Sequence, residues 1–207
     1  MEKFFGIFQV ANLVFFLVVF GGRSLNLWLR GGINPLALGK GKKGLGRLLE
    51  LLLLPWLALW MLAVGWAAMH GPVQAAPVPG NSFWAGWLPA RLAGVLVILA
   101  GDGLFVWALV SFGDSWRIGI DETKAGALVT EGIFAFSRNP IFAFIDLYFI
   151  GTFLVNGGAI FLVFAAITGL ALHYQILQEE KFLSKQYGQA YQEYRERTGR
   201  YGTFIRQ

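Results

Sequence analysis

The chain predicts an all-α, polytopic integral membrane protein of about five transmembrane helices, closed by a C-terminal helical segment outside the bilayer. Three observations carry that expectation. Apolar residues make up 56% of the 207 and charged residues only 14%, so an ordinary soluble domain is excluded. The apolar residues arrive in long runs and do not alternate with polar ones. The basic residues cluster between alternate runs, as orientation signals do in membrane proteins.

Taken in order, the apolar segments fall at roughly 4–20, 48–70, 90–112, 133–155 and 158–178. Each approaches the ~20 residues that cross ~30 Å of hydrocarbon, the first being the shortest. The first segment lacks a cationic leader and an Ala-x-Ala cleavage site, so it reads as a retained span. The loop from Gly21 to Arg47 holds Arg23, Arg30, Lys40, Lys42, Lys43 and Arg47 with no acid. Region 113–138 and the tail after the fifth span bring the count on that side to fifteen of the seventeen basic residues. By the positive-inside rule that side is cytoplasmic, in a bacterial inner membrane by expectation, with the N-terminus outside and the C-terminus inside. The opposite loop, Gly71–Ala90, has no charge and four of the seven prolines, as a translocated connector would. The run Gly39-Lys40-Gly41-Lys42-Lys43-Gly44 reads as a flexible loop that fixes orientation, in preference to a headgroup site.

Composition also bounds the chemistry. With no cysteine, disulfides and thiolate metal sites are out of reach, and two histidines, His70 and His173, cannot build a multi-histidine centre. The net charge of +5 lacks any basic-aromatic nucleic-acid motif, so nucleic acid is not an expected partner; the lipid bilayer is. No internal repeat is visible, which argues against an inverted-repeat transporter. The whole of 1–207 reads as one membrane domain, with three N-terminal spans in 1–112 and the motif-bearing region in 113–207.

The fourth and fifth segments form a hairpin. The connector Val155-Asn156-Gly157-Gly158 is short enough to force them antiparallel. Asn139-Pro140 has the form of a helix start, since Asn caps free N–H groups and Pro is tolerated at the first helical position. From Pro140 to Val155 is roughly 24 Å of helix, and from Gly158 to Gln175 about 26 Å, so Gln175 stands level with Asn139-Pro140. Glu179 lies one turn further on the same face. A polar pocket is expected between Arg138 and the helix start on one wall and Gln175 and Glu179 on the other. The helix start with Arg138 suits a carboxylate or phosphate, and the Glu suits an amine or ribose hydroxyls. A ligand with all these groups is a zwitterionic nucleoside cofactor.

The phrases Leu128-Val129-Thr130-x-Gly132-x-Phe134, Arg138-x-Pro140-x-Phe142 and Glu179-Glu180-x-x-Leu183-x-x-x-Tyr187-Gly188-x-x-Tyr191-x-x-Tyr194 resemble those of the isoprenylcysteine carboxyl methyltransferases and the related phospholipid N-methyltransferases. The likeness covers about residues 111–201, with Ser115–Ile120 similar to the approach segment of bacterial members. It implies S-adenosylmethionine as cofactor, bound at the feet of the hairpin and covered by the C-terminal segment. Carried over by position, the cofactor contacts are Gly126, Ala127, Leu128, Val129, Phe134, Arg138, Asn139, Pro140, Ile141, Phe142 and Glu179. Asn139 stands where the family usually has His. Gln175 stands where the carboxyl methyltransferases have an Arg that orients the substrate carboxylate, and Gln lacks its charge and fork.

The resemblance implies methyl transfer to a lipidic or prenylated acceptor, through a carboxylate or an amine, at the cytoplasmic leaflet. Candidate substrate and catalytic residues are Gln175, Asp146 and His173, with Asp102 as a second intramembrane acid. Asp146 lies about 9 Å deeper than Pro140, placed to steer an amine. His173 reads as an interfacial histidine, with general base as its second reading. Arg138 reads as cofactor-binding in preference to a headgroup anchor. Glu180 reads as structural and turned to another face. Tyr187, Tyr191 and Tyr194 read as a stripe packing the tail onto the membrane. Two other functions fit the same scaffold: an NADPH-dependent membrane reductase of sterol-reductase-like architecture, and a non-catalytic membrane protein.

Overall fold

Each long apolar run folds as a helix. In the computed structural model, which describes residues 1–31, 44–71, 83–84, 86–113 and 128–202, α1 spans Glu2–Gly31, α2 Gly44–His70, α3 Leu88–Phe112, α4 Pro140–Asn156, α5 Ala159–Tyr187 and α6 Gln189–Arg197. A 3-10 turn covers Gly132–Ala135, and no strand occurs among the described residues. By length and composition α1, α2, α3 and α5 can cross a membrane, and α4 is a shorter apolar helix. The architecture is all-α and polytopic, as composition requires. The run Gly39–Lys43, most of the connector 71–90 and the segment Ser115–Ile120 lie outside the described residues.

Two span boundaries differ from expectation. The first span is the longest helix, 30 residues, because Ser24–Leu29 continue it past Gly21-Gly22 at little cost in apolar helix formers. The fourth does not begin near residue 133. Pro140 offers no N–H and disfavours helix at the residue before it, so Gly132–Ala135 closes as a separate turn and α4 holds only 17 residues, about 26 Å. α5, at 29 residues or about 44 Å, is longer than the hydrocarbon is thick.

The chain forms two compact units with interleaved segments: 1–23, 53–102 and 145–170 make the first, and 24–52, 103–144 and 171–207 the second. The first unit is apolar on its outside. Ile7, Val18, Leu62, Leu96 and Leu170 are each more than 65% exposed, which a bilayer tolerates and water does not. Its inside is aromatic and polar. Trp60 stacks on Phe149 at 4.7 Å and meets Tyr148 at 5.3 Å. Gln9 and Asn156 exchange amide hydrogen bonds of 2.7 and 3.4 Å, and Asn12 donates to Asp102. Arg91, 3% exposed, pairs with Glu2 and lies 3.9 Å above the Phe5 ring. Such pairs take the place of the water that hydrocarbon cannot supply, each contributing about 0.6 kcal/mol in a membrane.

The hairpin turn falls where the short connector predicts it. Asn156 ends α4, buried, and Gly157 turns the chain at φ +67 with Trp84 packed over it. On the face between α3 and α4, Gly94 and Gly151 lie back to back: a Cβ on Gly94 would stand 2.7 Å from the Gly151 carbonyl oxygen. The absence of side chains there lets the two backbones touch.

Candidate active site at the start of α4

The second unit gathers most of the residues that the motifs pointed to. The 3-10 turn brings the chain into α4, and Gly132 makes it possible. Its φ is +62, and the Ser111 hydroxyl occupies the place a Cβ would take; Ser111 Oγ also accepts from Ile133 N at 3.3 Å. Phe134 is thereby driven inward, 5% exposed, edge-on to Phe112 at 4.6 Å. Around it Ala108, Ile133, Tyr191 and Tyr194 form a buried apolar cluster, with Leu128, Val129 and Ile141 packed against it. Four of the sequence-predicted cofactor residues thus share one apolar wall. Phe142 follows on α4, half-buried. Gly126 and Ala127, expected to extend that wall, lie outside the described residues.

The polar side of the site is ionic. Arg138 is 6% exposed, and its guanidinium lies 3.2 Å from Glu180 and donates to the Tyr191 hydroxyl at 3.5 Å. The other Glu180 oxygen accepts from Arg200 at 2.9 Å, and Arg200 Nε adds a second bond at 3.0 Å. Glu180 is therefore not turned to another face. It is itself 7% exposed and is the carboxylate that joins Arg138 to the tail. Adjacent residues on a helix diverge by about 100°, but Arg138 is long enough to reach the face that Glu180 presents. Glu179, half-buried, instead accepts from Gln175 on its own helix at 3.5 Å, the i,i+4 relation the spacing implied.

The C-terminal segment is laced across the start of α4. Arg138 N donates to the Gly199 carbonyl at 3.0 Å, and Ser137 Oγ and Asn139 Nδ2 both donate to the Arg200 carbonyl at 3.2 Å. Asn139, whose own N–H donates to Ser137 Oγ at 3.1 Å, thus presents its amide to the tail. Pro140 is fully buried beneath it. Tyr194 donates to the Phe134 carbonyl at 2.7 Å. Two of the tyrosine stripe, Tyr191 and Tyr194, pack into the protein and not onto the membrane; burial pushes the pKa of both hydroxyls up, so they stay protonated donors at neutral pH. The hydrogen bond with Glu180 pushes that of Arg200 up as well. His173 Nδ1 meets the Tyr201 hydroxyl at 2.7 Å, with the two rings near parallel.

Arg200 and Tyr201 are the residues that motif reading missed, and Glu180, Tyr191 and Tyr194, though part of the motif, were read as facing elsewhere. The i,i+3 spacing of Tyr191 and Tyr194 was a usable signal, since it sets both on one face. Asp146 belongs to the first unit: its Oδ1 is buried without a hydrogen-bond partner, beside Gly169 of α5.

Helices long and apolar enough to cross a bilayer, with a buried ionic cluster beside an apolar one, define the class as an all-α, polytopic membrane fold. The family model for phospholipid methyltransferases matches residues 89–190, from the start of α3 to the first residues of α6. That stretch, just under half of the chain, is similar to the phospholipid methyltransferase family. The family is one of membrane methyltransferases acting on lipid substrates. No curated protein matches the chain.

Proposed function

We propose that the chain is an S-adenosylmethionine-dependent methyltransferase that modifies a lipidic acceptor, through an amine or a carboxylate, at the cytoplasmic face of the membrane. The observation that carries the proposal is the charge of the buried cluster. Arg138 and Arg200 set two guanidinium groups on the one carboxylate of Glu180, and Arg138 is buried beside the start of α4. A guanidinium at a helix start suits an anionic group. The carboxylate of the methyl donor has that charge, and the apolar wall of Leu128, Val129 and Ile141 suits its adenine ring. Glu179 is placed on α5 for hydroxyl or ammonium groups of the same ligand. The residues present therefore fit this cofactor.

When bound, S-adenosylmethionine supplies an electrophilic methyl group; the protein's part is to hold and orient. Arg138 and the start of α4 fix the anionic end, and the tail from Thr198 to Tyr201 keeps water from the cluster. An amine acceptor must lose its proton before it can be methylated, whereas a carboxylate is already nucleophilic. His173, bonded to Tyr201, is the imidazole of this unit able to take that proton. Asp146, by its place in the fourth apolar segment, is the candidate to meet a cationic acceptor, because a carboxylate within a span seeks a positive partner.

Calorimetric titration of the detergent-purified protein with S-adenosylhomocysteine and with NADPH tests the cofactor: saturable binding of the first alone is expected, and binding of NADPH alone overturns the proposal. Labelled methyl donor and lipid extract then test acceptor and side. Turnover is expected in inverted membrane vesicles and not in sealed right-side-out ones. Asp146→Asn is expected to cut kcat/KM for amine acceptors at least tenfold; full turnover in that variant removes Asp146 from the mechanism.

A further inference from the structure

The polar atoms inside the first unit do not all find partners in the protein, and two of those that fail, on Asn12 and Trp60, line one cavity. Gln9 and Asn156 form a closed pair in which each amide both gives and accepts. One turn along α1, Asn12 Nδ2 donates to Asp102, but Asn12 Oδ1 and Asp102 Oδ1 are both buried without a hydrogen-bond partner. A third orphan is the indole N–H of Trp60. The three residues are 7%, 7% and 3% exposed, so neither bulk water nor headgroups reach them. Asn12 and Trp60 line one small cavity, closed by Val64, Ile98 and Tyr148, and Asp102 stands one hydrogen bond behind Asn12. The space admits about one water molecule.

We propose that this cavity is a binding site for a single internal water, which donates to Asn12 Oδ1 and accepts from Trp60 Nε1. The bookkeeping of donors selects it. The orphans that line it are one acceptor and one donor, and a water both donates and accepts. A proton on Asp102 would complete its pair with Asn12 but leave the Trp60 N–H alone. An ammonium has donors only and cannot accept from Trp60. A phosphate or a choline group is too large for the space. Within a membrane span no lipid tail supplies the missing bonds, so a water held there is the means by which the interior is satisfied.

The site also gives the N-terminal helices a role of their own. Asn12 comes from α1 and Trp60 from α2, and Asn12 donates to Asp102 of α3, so the water and that bond together join three helices, two of which precede the matched stretch. The inference is independent of the methyltransferase reading.

The test uses the full chain in detergent, labelled with 15N at tryptophan, and reads magnetisation exchange between water and indole N–H groups. The Trp60 indole is expected to give a water cross-peak despite its burial; a Trp60 signal with no such peak overturns the proposal. Trp60→Phe assigns the signal among the eight tryptophans. If that variant does not fold, the seven other single Trp→Phe variants assign it by elimination. Asn12→Leu keeps the side-chain volume and removes one acceptor, so the cross-peak is expected to disappear; its survival overturns the assignment of Asn12 as a ligand.

Discussion

Glu180→Ala is expected to lower stability by roughly 3 kcal/mol and to weaken S-adenosylhomocysteine binding at least tenfold. The cost arises from what remains. With the carboxylate removed, Arg138 and Arg200 keep their charges in a place where their side chains are 1% and 11% exposed, without the group that pairs with both. Breaking one member of a buried ionic group costs more than the group ever contributed, because an unpaired charge is left behind. Arg200→Ala is expected to be milder, about 1–2 kcal/mol: it releases one end of the tail but leaves the Arg138–Glu180 pair intact. Glu180→Gln, which keeps the shape and one acceptor, should fall between them. Thermal unfolding followed by circular dichroism reads the order directly, with Glu180→Ala lowering Tm by roughly 6–12 °C for a chain of this size. An Arg200→Ala variant less stable than Glu180→Ala would refute the central position given to Glu180.

The architecture was legible because hydrocarbon allows few solutions. A run of some twenty apolar residues must satisfy its own backbone, so helices follow from composition alone. The hairpin was legible for a local reason as well: Asn139-Pro140 fixes where α4 starts, and Asn156-Gly157-Gly158 fixes where it ends. The boundary near residue 133 was not, since Gly132–Ala135 is apolar like a span and only its φ values and the Ser111 hydroxyl set it apart. α1 ran beyond its apolar window because helix formation needs only propensity once nucleated, and Ser24–Leu29 offers it.

The site was legible where partners are close in sequence. Gln175 and Glu179 meet as i,i+4 spacing dictates. The choice between Glu179 and Glu180 could not be made this way. Glu180 is selected by Arg200, twenty residues on, and by Arg138 on another element. Contacts of that kind depend on how the tail folds back, which no helical period encodes. The same holds for Tyr191 and Tyr194. Their spacing gave a shared face, but the Phe134 carbonyl that receives Tyr194 comes from a turn that periodicity did not reveal.

Gly94→Ala is expected to destabilise the first unit by about 2–3 kcal/mol, the cost of overpacking where nothing can yield. A Cβ at Gly94 would lie 2.7 Å from the Gly151 carbonyl oxygen, 2.8 Å from Val155 N and 2.9 Å from Leu154 Cβ, so α4 itself must move. The reverse change meets a softer neighbour. At Gly151 the nearest atom is Ile98 Cγ1, part of a side chain, with the Gly94 oxygen next at 2.9 Å. Shortening Ile98 to Ala removes Cγ1 and so opens space at the first clash, and none at the backbone contacts of Gly94. A double-mutant cycle separates the two cases. Ile98→Ala should recover part of the loss caused by Gly151→Ala, and recover nothing when combined with Gly94→Ala. Equal rescue of both would mean that the helices separate as rigid bodies to admit either methyl group. The direct contact of the two glycine backbones would then not be what holds α3 against α4.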